Sequence, residues 1–403
     1  MYDVIAGIDW ASREHAVFIG DRHGKRLDRF IADHTEDGLE RLLQRLACAA
    51  EPGATMVAIE RPDGLLVDRL LEAGHPVLPV KPAAVRAYRT SVVPSGAKSD
   101  QGDAKVIAEY ARLAGGDRVL QPYSDRIRSL RLATRTRTQL VRRRVRATNQ
   151  LGDVLGQHWP GAAATFDLNT DIASAFLHRY PTPDAASHLG PKRMRAFLDR
   201  VGYSGKWRRT ADELLESIRA APATTTSPLF DDRLESVVIA HLHVLDGLRG
   251  QIKQLDRVIA AQLDQHPDGP IFSSFPHSGT ISAAQMLAEW GDTRSAYPTA
   301  DAAASLAGLT PVTRASGTHR AVVARWACNK WMRQAFTTYA DNSRRGSSWA
   351  AHTYRNAINR GCDHPHAIRL LGRAWTRVIW RCWSNRQPYD PAKHRNARAL
   401  TTA

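Results

Sequence analysis

Cysteine is scarce: Cys48, Cys328, Cys362 and Cys382 are the only four among 403 residues, and no two form a CxxC pair. That excludes a disulfide framework and a cysteine zinc knuckle, and it fits a reducing, cytoplasmic setting. Long apolar runs are also missing, with none near the roughly 18 residues that a membrane-spanning helix needs. The opening MYDVIAGIDW lacks the basic-then-apolar order of a secretory signal. Negative charge is absent or thin in two stretches. Residues 126–152 hold nine arginines and no acid, and residues 305–403 hold 17 basic residues against three acids. Residues 1–125 and 153–304 are mildly acidic, so the net charge of +16 is local. Separated, one-sided basic runs repel each other without a polyanion, which points to nucleic acid as partner.

A hydrophobic content of 43% supplies ample core for two or three domains. Residues 2–9, 15–20 and 26–32 read as a three-strand meander. A helical pattern at Leu39, Leu42, Leu43 and Leu46 follows, then a strand ending at Glu60, a helix near Leu65–Leu71, a short strand PVLPV and a helix from Asp100 to Leu113. That order predicts an α/β layer fold. Residues 124–158 read as one long arginine-rich helix, and 160–230 as an insertion of short helical pieces broken by GAAAT, YPTPDAAS and APATTTSP. Val238, Leu242, Leu245, Leu248, Ile252, Leu255 and Ile259 step by three and four like a coiled-coil seam, suited to antiparallel pairing with the basic helix or to dimerisation. Mostly helical sequence runs on to about residue 386. The expected division is 1–123, an α/β catalytic domain; 124–266, the basic helix, insertion and coiled-coil helix; 267–388, a mostly α C-terminal domain; and 389–403, a disordered tail.

Asp9 closes the first strand in GIDWA, Glu60 closes a later one in VAIERPDG, and Asp100 and Asp103 open a helix in KSDQGDA. Acids three apart share a helix face, and ligands gather at strand ends of α/β sheets. Four converging carboxylates need a divalent cation, and hard oxygen donors suit Mg²⁺ or Mn²⁺, as in phosphoryl transfer. Each acid alone also reads as a surface or capping residue, Asp100 as an N-cap.

GIDWA, AIERPDG and KSDQGDA, with FPHSGTISAAQMLAEWGD and SLAGLTPVTRASGTHR downstream, resemble the DEDD transposases of bacterial insertion sequences. That family includes the pilin-gene inversion recombinases and the bridge-RNA-guided recombinases. The resemblance implies a RuvC-like, ribonuclease-H-type N-terminal domain with Asp9, Glu60, Asp100 and Asp103 as its metal-binding tetrad. It also implies a nucleophilic serine after the LAGLTP segment that becomes covalently linked to DNA; the matching position is Ser316. Serine needs activation, and no Ser-His-Asp order supplies it, so the implied site combines the tetrad with Ser316, within one chain or between subunits. A structured RNA encoded by the element, selecting both DNAs, and a dimer of dimers are implied in the same way.

On spacing alone Ser316 is a turn residue before glycine. Arg314, His319, Arg320 and Arg325 nearby offer cations for a phosphate. Arg126, Arg128, Arg131, Arg135, Arg142, Arg143 and Arg146 are candidates for backbone contact with DNA or RNA, which needs charge and carries no sequence information. Six tryptophans between Trp326 and Trp383 interleave with arginines and read either as base-stacking groups or as core. FPHSGT resembles a helix-hairpin-helix turn in which His277 and Ser278 replace the common glycine and apolar residue. Cys362, Asp363, His364 and His366 hint at zinc, but with the Pro365 kink and no second half they read as a structural loop.

The function these features predict is a Mg²⁺-dependent DNA transposase or site-specific recombinase acting through phosphoserine. The rivals are a metal-only, junction-resolving nuclease and a non-catalytic nucleic-acid-binding protein.

Overall fold

The computed structural model describes residues 2–92, 99–115, 119–120, 122–203, 209–222, 227–317 and 319–393. They fall into two compact units, Met1–Pro122 and Tyr123–Ala403.

In the first unit β1 (Val4–Trp10), β2 (Glu14–Asp21) and β3 (Arg26–Asp33) form the meander, followed by α1 (Glu36–Ala49), β4 (Thr55–Ile59), α2 (Leu65–Glu72), β5 (Val77–Pro79), α3 (Pro82–Val92) and α4 (Asp100–Ala114). The sheet order is β3-β2-β1-β4-β5, with β4 and β5 parallel to β1. Period-2 alternation splits β1 between two cores. Val4, Ala6 and Ile8 pack with Leu39, Leu42, Leu46, Leu66 and Leu70 of α1 and α2, whereas Ile5 packs with Met56, Ala58, Ala104, Ile107 and Ala108 on the α4 side. Val85 is the one buried residue of α3, a helix with too weak an apolar stripe for the periodicity to reveal.

The second unit opens with α5 (Asp125–His158), then α6 (Pro160–Thr165), α7 (Asp171–Arg179), α8 (Pro191–Arg200), α9 (Ala211–Ala220) and α10 (Pro228–Asp264). Helices α5 and α10 pair antiparallel: Arg137 Nε meets Asp256 Oδ1 at 2.6 Å and Gln262 Nε2 meets Ser129 Oγ at 2.7 Å. The segment that reads as an irregular insertion is four short helices around a core of their own, with Phe176, Met194, Phe197 and Leu214 against Leu151, Leu155, Val238 and Leu242. Its breaks are helix starts: Pro160 and Pro191 lie in first turns, Thr170 caps α7, and Thr210 with Glu213 forms a capping box.

Helices α11 (Gly269–Ser273), α12 (Thr280–Trp290), α13 (Ala300–Leu306), α14 (Lys330–Ser343), α15 (Ser348–Asn359) and α16 (His364–Ser384) complete the chain, with β6 (Val312–Ser316) and β7 (His319–Val323) between α13 and α14. Trp290, Phe336, Tyr339, Trp375 and Trp383 fill this core. Tyr389, assigned from sequence to the disordered tail, packs its ring 5.6 Å from Trp375, and its N–H donates to Ser274 Oγ; the tail from 394 to 403 lies outside the described residues. Asp363 caps α16 by accepting the His366 N–H, so the Cys362–His366 cluster acts as a cap. In the FPHSGT turn His277 takes the left-handed φ of +58° that favours glycine, and Ser278 is buried where an apolar residue is common.

Candidate active site and nucleic-acid surface

The acidic positions are set by Gly7. A Cβ there would fall 2.5 Å from Ala108 N and closer still to the Ala104 carbonyl, so only glycine lets α4 cross β1 at this distance. The turn at Gly24, beside Asp21 opposite Val4, touches Arg112 at the far end of α4. Helix α4 therefore runs antiparallel to β1, with its N-terminus at the Asp9 end. Asp9 lies two residues, about 6.8 Å, beyond Gly7, and at 1.5 Å per helical residue that is the level of residues 101–102, between Asp100 and Asp103. Ile8 pairs with Ile59 in parallel register, so Glu60 is the next partner of Asp9. Met56 and Ala58 alternate onto the α4 face, and Glu60 continues that alternation. All four acids thus belong to one end of one face of the sheet.

They are not drawn into a cage. Among the described residues no group of three or more His, Cys, Asp and Glu is placed to hold a metal ion. Asp103 is instead ion-paired with Arg89 of α3, both largely buried, a partner that the sequence pattern did not reveal. The donor set, hard carboxylate oxygens, fits Mg²⁺ in kind. On the opposite face of the same sheet end, His15 Nε2 lies 2.9 Å from His34 Nδ1, and the Arg61 guanidinium lies 4.3 Å over the Trp10 ring. Burial first, and the neighbouring His34 second, push His15 down to a pKa of about 4.

Ser316 ends β6 and pairs with His319 of β7, and Gly317 directly after it takes φ +55°. Sequence reading made this region helical; the alternation in VTRAS and HRAVV around a Ser-Gly turn is the signal for the hairpin. Ser316 is exposed, and alternation puts exposed Arg314 on its face and Arg320 on the other. Arg325 is at the hairpin base, donating from Nε to Thr310 Oγ1 at 3.2 Å. Six residue steps separate Thr310 from Ser316, roughly 20 Å of extended chain, so Arg325 is remote from Ser316.

The arginines of α5 divide. Glu289 of α12, 3% exposed, accepts Arg135 Nε at 2.7 Å and Nη2 at 2.8 Å, Arg131 Nη2 at 3.4 Å and Asn329 Nδ2 at 3.3 Å. Arg131 and Arg135 are thereby held within the unit by Glu289, which escaped notice because these two arginines lie more than 150 positions away in the chain. Arg128 meets Asp125 within the first turn, and Arg142 donates to Gln334 Oε1 at 2.6 Å. Arg126, Arg143 and Arg146 are exposed. Of the C-terminal tryptophans Trp349, Trp375 and Trp383 are core, whereas Trp326 is 77% exposed.

The α/β unit carries acids at one sheet end and the helical unit an exposed basic hairpin, and comparison with known proteins bears on what such a chain is similar to. Residues 6–160 match a family model described as Transposase, and residues 269–355 match the Transposase IS116/IS110/IS902 family. The mini-circle putative transposase for IS117 of Streptomyces coelicolor is 31% identical over 395 residues, 96% of this chain and 95% of that one. The insertion element IS116 uncharacterized 44.8 kDa protein of Streptomyces clavuligerus is 28% identical, covering 96% of each. The insertion element IS900 uncharacterized 42 kDa protein of Mycobacterium paratuberculosis is 27% identical, covering 96% of this chain and 98% of that one. Among solved structures, T. thermophilus RuvC in complex with Holliday junction substrate aligns with 30% of this chain and 100% of its own at 19% identity and a TM-score of 0.23. The chain belongs to the IS110/IS116 family of insertion-sequence transposases. No helix among the described residues is long and apolar enough to cross a membrane.

Proposed function

We propose that the protein cuts DNA at the ends of its own element and rejoins it to a target through a phosphoserine at Ser316. The observation that carries this reading is the placement of Ser316: exposed at a hairpin tip, bordered by a left-handed glycine, with Arg314 on its face. Residues 302–340 contain no acid, so a phosphate meets no repulsion from this stretch of chain. In the reaction Ser316 Oγ bonds to phosphorus, the bond to one strand oxygen breaks, and that oxygen leaves as a hydroxyl. The reverse step with a different hydroxyl rejoins the strands. One phosphodiester replaces another, so no external energy source is needed. Arg314 holds the phosphate and opposes the charge that builds on its oxygens.

The strand order with β4 and β5 parallel to β1 supports a RuvC-like assignment for the first unit, and Asp9, Glu60, Asp100 and Asp103 would hold Mg²⁺ there. When bound, the ion neutralises these carboxylates and supplies Lewis acidity to a phosphate. Asp103 must exchange Arg89 to take part. Exposed Arg126, Arg143 and Arg146 grip the nucleic-acid backbone. Selection of DNA by an element-encoded RNA, and a dimer of dimers as the working form, extend this reading on the strength of the family resemblance.

The test is to trap a protein-DNA adduct on element-end DNA. The adduct is expected in wild type and Ser305→Ala and lost in Ser316→Ala. Cleavage without an adduct would replace this reading with a metal-only nuclease, and strand transfer that survives Asp9→Ala would remove the tetrad from it.

A further inference from the structure

Trp326 differs from the other aromatic residues of its region. Trp349, Trp375 and Trp383 are buried in the helical core, and Trp331 is half-buried beneath the guanidinium groups of Arg135 and Arg142, 5.4 and 5.3 Å from its ring centre. Trp326 alone among these is 77% exposed, three residues past the end of β7, and Val322 on that strand is 66% exposed. Leaving so large an apolar ring in water forgoes the stabilisation that burial gives.

The ring is backed by a fixed cation. Arg333 lies 5.8 Å from the Trp326 ring centre. Its Nη2 donates to the Arg325 carbonyl, and its guanidinium packs so closely on Gly308, at φ +66°, that a Cβ there would sit 2.5 Å from Nη2. Arg325 is held in turn by Thr310, and Asn329 both caps α14 and donates to buried Glu289. The loop from 324 to 329 is therefore pinned at both ends, and the ring stands out from a preorganised base. This stretch of chain suits an anion: Arg314, Arg320, Arg325, Lys330 and Arg333 fall between residues 302 and 340, where the sequence has no carboxylate, and the Glu289 carboxylate that Asn329 meets is buried and already paired with Arg135.

We infer that Trp326 is a stacking platform for an unpaired DNA base, with Arg333 and Lys330 drawing the adjoining phosphates. A π-face on a cationic bed is the chemistry by which single strands are held without sequence preference. A base inside an intact duplex has both faces covered, so the occupant is a base exposed by melting or strand exchange. Trp326 is ten residues beyond Ser316 at the opposite end of the hairpin, roughly 20 Å away. At about 3.4 Å per nucleotide step the stacked base lies some six nucleotides from the phosphate under attack. This rests on the proposed chemistry at Ser316 only for that spacing; the stacking stands on its own observations.

The experiment measures binding of the full-length protein to a fluorescein-labelled 20-nucleotide DNA, to the same sequence as a duplex, and to the same sequence as RNA. Trp326→Ala and Trp326→Phe are compared with wild type at several salt concentrations. Trp326→Ala is expected to weaken single-stranded DNA binding about 5- to 100-fold, with duplex binding and the slope against salt unchanged, because no charge is removed. Trp326→Phe should restore most of the affinity, and thermal stability should not move because the ring is exposed. Unchanged single-strand binding in Trp326→Ala, or equal losses on single strand and duplex, would overturn the inference. A loss confined to RNA would overturn it in favour of a guide-RNA contact. None of these outcomes depends on whether Ser316 forms an adduct.

Discussion

Removing the Glu289 carboxylate separates structural arginines from binding ones. Glu289 accepts four hydrogen bonds at 3% exposure, two of them the paired donors of Arg135. Breaking a buried ion pair from one side costs about 3–5 kcal/mol. The side chains of Arg131 and Arg135 keep 16% and 23% exposure and recover some hydration, so Glu289→Ala is expected to cost about 2–4 kcal/mol. At roughly 2 °C per kcal/mol for a unit of this size, Tm falls by about 4–8 °C in differential scanning calorimetry. Arg131→Ala with Arg135→Ala should likewise lower Tm. The double change Arg143→Ala with Arg146→Ala should leave Tm in place and flatten the slope of log K against log salt for duplex DNA by about 1.8, at roughly 0.9 for each phosphate no longer neutralised. If the Arg131 and Arg135 changes flattened that slope at constant Tm, or if Glu289→Ala left Tm within 1 °C or so, the division of α5 argued above would be refuted.

Three further outcomes are expected. His15 is neutral in the folded chain down to pH about 4, whereas unfolded histidine titrates near 6.5; as pH falls from 6.5 to 4 the unfolded state alone takes up this proton, and the first unit loses about 3 kcal/mol. Urea unfolding followed through Trp10, the only tryptophan in residues 1–122, should show that loss in wild type and lack it in His15→Phe. Gly7→Ala pushes α4 off β1 and should cost about 1–3 kcal/mol while abolishing strand transfer; full activity with normal stability would show that α4 can yield without misplacing its acids. Ser278→Ala removes a buried hydroxyl that lacks a hydrogen-bond partner, and denaturant titration should find it neutral or stabilising by about 1 kcal/mol, a clear loss counting against the burial argument.

The first unit was legible because its signals are local. Strand alternation and acids at element ends can both be read within ten residues. The paired long helices were legible for the same reason, since the unbroken arginine-rich run of 124–158 and the stepped positions from Val238 to Ile259 fall within helices of 34 and 37 residues. The short helical pieces of the insertion show in its sequence, but its separate core does not, because the Pro, Thr and Gly at the breaks are also helix starts and each helix is too short to show a stripe. At the candidate site the four acids stood out, but Arg89, which neutralises Asp103, lies in a helix with one buried residue, and Glu289 lies over 150 residues from the arginines that it holds. Long-range charge pairing has no periodicity, so it could not be read from the chain alone.

The antiparallel pairing of α5 and α10 gives the second unit a fixed yardstick. Ile127, Leu130 and Ala133 of α5 belong to the C-terminal core, and Ala147, Leu151 and Leu155 to the insertion core. Their midpoints are about 21 residues apart, which is roughly 31 Å of helix and close to one turn of duplex DNA. Arg143 and Arg146 are mounted between these marks. Excising seven residues from both helices at matching heights would keep the seam in phase while drawing the two cores about 10 Å together, so the protein's stability can be held while the length it measures along a nucleic acid is changed.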